Sequence, residues 1–245
     1  MHSALGQIDL PLSLGSIGLG GMGFLLFCVT GVVAITALAR RELRNVLQQR
    51  RTLLDAAAGL LENPSVTVAG DGYPRLIGTC DGRKVSLEVV PDSLVPRRLP
   101  QLWLKLTLLK PEAAPRPSIG VLARPIGTEF YSRVLGLPDT IAPPFAADFP
   151  LLMRGRGATE AAIQRTSGLF RTLFADPELK EIVITPRGAG TVRRIAEGDR
   201  GAHVLYRQMR FQATQDSPEI IRNALAELRL LNAALDASPA YDGVP

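Results

Sequence analysis

Residues 17–39 read IGLGGMGFLLFCVTGVVAITALA, and this stretch decides the architecture. It holds 23 residues, and no charged residue occurs from Leu10 to Ala39. As a helix it rises about 35 Å, enough to cross a hydrocarbon core of about 30 Å with slight tilt. Phe24, Leu25, Leu26, Phe27, Val29, Val32, Val33, Ile35 and Leu38 place apolar groups on every face. A helix lying on a globular surface keeps a polar stripe, and this one has none. The sequence predicts one transmembrane helix.

The flanks set its direction. Arg40, Arg41, Arg44, Arg50 and Arg51 follow at once against a single acid, Glu42, whereas the preceding side carries only Asp9 and His2. The positive-inside rule then puts residues 1–16 outside the membrane as a short tail and everything after Arg40 in the cytoplasm. Arg40, Arg41 and Arg44 are the expected headgroup and topology contacts, with membrane lipid as the first partner. Ala37-Leu38-Ala39 has the small-x-small form of a signal cleavage site. The absence of Lys or Arg before the span, the length of the apolar run and the arginines behind it all oppose cleavage. Arginine outnumbers lysine 24 to 4, alongside abundant Ala, Gly and Pro, a composition that fits a GC-rich bacterial genome and hence a bacterial inner membrane.

The whole-chain figures agree with this division. The 245 residues are 46% hydrophobic and 21% charged, which excludes a disordered chain, and 23 Gly and 19 Pro without period exclude collagen. Two cysteines, Cys28 and Cys80, are too few for a disulfide scaffold, and two histidines leave little for a metal site. No cofactor is expected. Of the net charge of +5, residues 40–51 supply +4, so the basic balance is mainly a topology signal.

Gly18-Leu-Gly20-Gly-Met-Gly23 is a formal match to the dinucleotide-binding G-x-G-x-x-G. That chemistry needs a strand before it, an amphipathic helix after it and an acid about 20 residues on at a strand end; here Leu10–Ser16 is a poor strand, the following helix has no polar face, and Arg40-Arg41-Glu42-Leu43-Arg44 replaces the second strand. Ser16, Gly20 and Gly23 instead offer small residues along one side of the span, against which a second membrane helix can approach closely. The expected partners are thus other membrane subunits or a second copy of the chain.

Residues 40–63 predict a juxtamembrane helix, ended by Asn63-Pro64. Val46, Leu53 and Leu60, and Leu47, Leu54 and Leu61, repeat every seven residues and give it one apolar face, for docking on its own domain or for self-association.

From residue 64 to 237 the pattern is that of an α+β domain, followed by a loose tail at 238–245. Arg75–Cys80 and Arg83–Val89 flank Asp81-Gly82, a two-residue type I′ turn signal that pairs Leu76 with Leu87 and Arg75 with Glu88. Gln101–Leu109 alternates, with Leu102, Leu104, Leu106 and Leu108 on one face and Trp103, Lys105 and Thr107 on the other. Trp103 then covers a second layer or a partner. Ser118–Ala123 reads as a strand, and the Pro-rich stretch 124–157 as irregular. Thr159–Ala175 reads as a helix and Glu181–Thr185 as a strand. Thr191–Ala196 and Ala202–Met209 read as a second hairpin. A last helix opens on Asp216 or Ser217 with Pro218, and its stripe is Ile221, Leu225, Leu228, Leu231 and Leu235. The element order gives antiparallel hairpins with two further helices, not a βαβ parallel sheet.

Gly78-x-x-Asp81-Gly82-Arg83-x-Val85, then Trp103, then Phe145-x-x-Asp148-Phe149 ahead of Arg154-Gly155, resembles membrane-anchored bacterial domains that carry no assigned activity. The resemblance implies an α+β cytoplasmic domain and brings no catalytic residues with it.

Chemistry-bearing clusters do not appear in the sequence. His203 is the only histidine after the span and falls in a predicted strand, G-x-S-x-G and G-x-x-x-x-G-K-[ST] are absent, and the acids are dispersed. Arg193, Arg194, Arg207 and Arg210 near Tyr206 and Phe211 offer a short basic strip; nucleic acid is nevertheless disfavoured. Trp103, Arg194 and Arg207 are the candidate partner contacts. The expectation is a non-enzymatic, single-pass inner-membrane accessory or scaffold protein. Its alternative is a membrane-tethered enzyme or ligand sensor with residues 124–157 as the pocket wall.

Overall fold

The computed structural model describes residues 19–93, 98–113, 115–206, 209–211 and 218–236. The chain divides into two compact units, residues 1–47 and 48–245, described separately here.

The first unit is carried by α1 (Leu19–Arg51), a helix of 33 residues. Its most apolar window has a mean hydropathy of 2.0 and none of it is buried against the protein. Phe24, Phe27, Val32, Ile35 and Leu38 are all exposed. Among the described residues this is one helix long and apolar enough to cross a membrane.

The expected continuous helix over 40–63 is corrected. α1 ends at Arg51, a turn follows, and α2 (Asp55–Ala58) is a single helical turn. Leu53, Leu54, Ala57 and Leu61 all reach the core of the second unit. Asn63-Pro64 does not stop a helix; it lies inside strand β1 (Glu62–Val68). There Asn63 takes a left-handed φ of 48° and the register shifts between Glu62 and Ser65, an edge-strand bulge.

The second unit is built on one nine-stranded antiparallel sheet. Its strands are β1, β2 (Pro74–Cys80), β3 (Arg83–Asp92), β4 (Gln101–Leu109), β5 (Ser118–Ala123), β6 (Asp139–Ile141), β7 (Leu151–Arg156), β8 (Leu179–Thr185) and β9 (Gly188–Glu197), in spatial order β1-β2-β3-β4-β9-β8-β5-β7-β6. The α+β reading holds. The β2–β3 hairpin forms in the expected register, with Leu76 opposite Leu87 and Arg75 bonded to Glu88 at 2.7 Å. Asp81 and Gly82 have φ of 49° and 70°, as a type I′ turn demands.

On one face of the sheet lie α3 (Glu160–Leu173), capped by the Thr159 hydroxyl, and α5 (Pro218–Asp236). Leu102, Leu104, Leu106 and Leu108 of β4 join Phe170 of α3 and Leu225, Leu228 and Leu231 of α5 in the main core. Arg116, from the Pro-rich connection before β5, anchors α5 by donating to the Asn232 carbonyl at 2.8 Å and to Asn232 Oδ1 at 2.6 Å.

Two further corrections concern the chain after β5. Residues 124–157 are not irregular throughout: they contain a 3-10 turn (Val134–Gly136), β6 and β7. β7 pairs with β5 along six residues, a long-range pairing that local composition does not announce. The second hairpin also changes partner. β9 turns back onto β8, and residues expected as its second arm form α4 (Arg200–Tyr206), so His203 is helical. The Asp199 carboxylate accepts from Ala202 N–H at 2.6 Å and starts that helix.

Candidate functional site: a strap pinned over the second face of the sheet

The face of the sheet opposite the helices carries a different chemistry. Trp103 of β4 packs with Val90, Val192 and Tyr131 as a small separate cluster. The Tyr131 ring lies 5.4 Å from the indole, and Phe130 meets Tyr131 edge-on at the same separation. Tyr131 belongs to the segment 124–137, which crosses this face as a strap.

Four sets of ties hold the strap. At its start Arg124, at a left-handed φ of 49°, donates to the Pro177 carbonyl at 2.6 Å and lies over the Phe149 ring. A non-glycine residue in that region persists only when its surroundings impose it. Next, Glu129 is buried, 1% exposed, and accepts from the N–H groups of Ile126 at 2.7 Å and Gly127 at 2.9 Å. The ammonium of Lys180 on β8 bonds the same carboxylate at 2.9 Å and the Arg124 carbonyl at 2.7 Å. The third set converges on Glu181, fully buried on β8, which accepts from the Ser132 hydroxyl and from Arg133 N–H. Last, Val134 sits where Gly120 of β5 leaves room: a Cβ there would come within 2.6 Å of a Val134 methyl. Arg154 of β7 donates to the carbonyls of Leu135 and Leu137 and closes the far end.

The electrostatics follow from this burial. Burial pushes the Glu129 carboxyl up, but the bonds from Lys180 and Ile126 N–H outweigh it and hold the group below the usual carboxylate range. Burial weakens the Lys180 ammonium, which Glu129 only partly restores. At Glu181 burial prevails over the bonds from Ser132 and Arg133, and its carboxyl is pushed up. Burial, then the charges of Asp92, Glu129 and Glu181, push the Tyr131 phenol well above its ordinary value. Between these ties the turn presents Ile126, 38% exposed, and Phe130, 59% exposed, to solvent.

The partner contacts expected from sequence are rearranged. Trp103 is 5% exposed: it covers the second layer, under Tyr131, and is not free to meet a partner. Arg194 is held by Glu178 through two bonds, 2.5 and 2.7 Å, which lower the Glu178 carboxyl and raise the guanidinium. Arg193 is held between Asp176 and Glu227 on the helix face. Arg193 and Arg194 are thus each paired with acids, and Arg207 lies outside the described residues. Ser16 lies outside them too. Gly20 and Gly23 are helical in α1, and a Cβ on Gly23 would meet nothing. Arg40, Arg41 and Arg44 are exposed. The strap itself was readable only as a Pro-rich stretch, because its ties join residues some 50 positions apart.

Among the described residues no group of three or more His, Cys, Asp or Glu is arranged to hold a metal ion. The arrangement can present a rigid turn; its charged groups serve to fix the backbone.

No family model matches the chain, and no curated protein matches it. Among solved structures it is similar to the mycobacterial trehalose monomycolate transport factor A, TtfA, with 14% identity and a TM-score of 0.40 over 81% of this chain and 98% of that one.

Proposed function

We propose that the chain is a single-pass protein of the bacterial inner membrane, its N-terminus outside and its α+β domain in the cytoplasm, that serves as an accessory or scaffold subunit of a larger membrane complex. The observation that carries this reading is α1, whose apolar window is wholly unburied and is followed by the exposed Arg40, Arg41 and Arg44. The domain supports a binding role over a chemical one. Its buried ions, Glu129, Lys180, Glu181 and Arg116, are engaged in holding backbone. The segment offered above as a pocket wall packs Val134 and Leu137 onto Leu122 and Val183, which favours the scaffold over a tethered enzyme or sensor. Partners are membrane lipid and other membrane subunits or a second copy, met through α1 with its small residues Gly20 and Gly23. Extraction in mild detergent followed by size analysis tests it. A particle larger than one chain, with a co-purifying membrane protein or a second copy, is the expected result; a clean monomer with no companion contradicts the proposal.

A further inference from the structure

The turn at 126–130 joins two features that seldom coincide: exposed apolar side chains and a backbone that cannot withdraw them. Ile126 and Phe130 project from a turn whose N–H groups are clamped by Glu129, itself bonded to a lysine of the underlying sheet. Burying an ion pair is a costly way to shape a loop, and a solvated loop needs no such device. Within 124–133 the only acid is Glu129, buried and paired, while Arg124 and Arg133 stand at the two ends and Arg133 is exposed. Arg98, also exposed, lies close enough to Lys180 for its charge to be felt there. The exposed apolar groups of the turn are two isolated tips, whereas a stable protein interface covers about 800 Å² on each partner. Two apolar tips beside the exposed Arg98 and Arg133 suit an interface with headgroups on one side and acyl chains beneath.

We propose that this turn docks on an anionic lipid surface, with Ile126 and Phe130 entering the boundary between headgroups and acyl chains and the exposed Arg133 and Arg98 facing the phosphates. The proposal rests on the membrane residence argued above and adds a second, peripheral lipid contact made by the domain.

The test uses the full chain in proteoliposomes, with Phe130→Trp as the reporter and the buried Trp103 of the parent chain as the reference. Position 130 is exposed, so the substitution leaves the fold intact. In vesicles of phosphatidylcholine mixed with phosphatidylglycerol, the added indole should emit at shorter wavelength. Lipids brominated on their acyl chains should quench it at least about twofold more than the parent. Pure phosphatidylcholine should give less than half of that extra quenching, and adding Ile126→Asp should abolish it. An indole that emits as in water and is not quenched while the chain floats with the vesicles overturns this proposal and leaves the anchor standing. Equal quenching in both lipids overturns the anionic preference. A blue shift without quenching by brominated lipid overturns it in favour of a protein partner. A chain that fails to float overturns the membrane reading and this proposal with it.

Discussion

Glu129 and Glu181 hold the same strap, yet their environments push in opposite directions. Glu129 accepts from a cation and two N–H groups, Glu181 from a hydroxyl and the N–H groups of Arg133 and Val134 without a lysine. Removing Glu129 leaves the Lys180 ammonium, 8% exposed, buried and alone. Glu129→Ala should therefore cost about 3–5 kcal/mol, read as a shifted urea midpoint. Lys180→Met added to it should cost less than the two separate losses combined, the coupling that a double-mutant cycle measures. The pH dependence carries both signs. Glu129 and Glu178, held below the ordinary 4.5, contribute stability that is complete above that value and lost as pH falls through their lowered values. Glu181, raised above 4.5, binds its proton more tightly in the folded chain, so its part of the stability declines as pH rises from 4.5 through the raised value. Glu181→Gln should flatten that decline in urea titrations repeated across pH and leave the acid-side loss in place. None of these pairings is visible locally, since Glu129 and Lys180 lie 51 residues apart.

Elements differ in how much of their reason is local. The β2–β3 hairpin and β4 were legible in the residues themselves, through Asp81-Gly82 and a strict period of two, and the structure reproduces their register and faces. So was α5, whose stripe of Ile221, Leu225, Leu228, Leu231 and Leu235 is buried as read. Where several forces compete, local pattern misled. Val204 and Tyr206 suggest a strand, but the Asp199 cap begins a helix there. The Asn63-Pro64 pair suggests a helix stop, but pairing of Glu62 with Thr79 turns it into a bulge. The stretch 124–157 gains β7 only because β5 lies ready to pair with it. Two substitutions test the element reading by thermal and chemical denaturation. Leu228, fully buried in α5, should cost about 2–5 kcal/mol as Leu228→Ala, whereas Leu230→Ala, at a position 57% exposed, should change stability by less than about 0.5 kcal/mol. Gly82→Ala, at a φ of 70°, should cost about 1 kcal/mol by straining the turn.

At the scale of the molecule, one chain holds two compact units, the first carried by an exposed apolar helix. Residues 1–47 hold an apolar helix that no described residue covers, and residues 48–245 hold a sheet with a core on its helix face and a pinned strap on the other. Of the net charge of +5, residues 40–51 supply +4 and residues 52–245 only +2, so the chain beyond Arg51 is close to neutral. The central claim is that this helix spans the membrane and leaves the domain on the cytoplasmic side. Protease added to the two faces of the membrane tests that directly. In inverted inner-membrane vesicles, added protease should digest the domain and leave a short fragment containing 19–39 that resists carbonate extraction. In intact spheroplasts the same protease should spare the domain. Digestion of the domain in spheroplasts, or release of the chain by carbonate, would contradict the account.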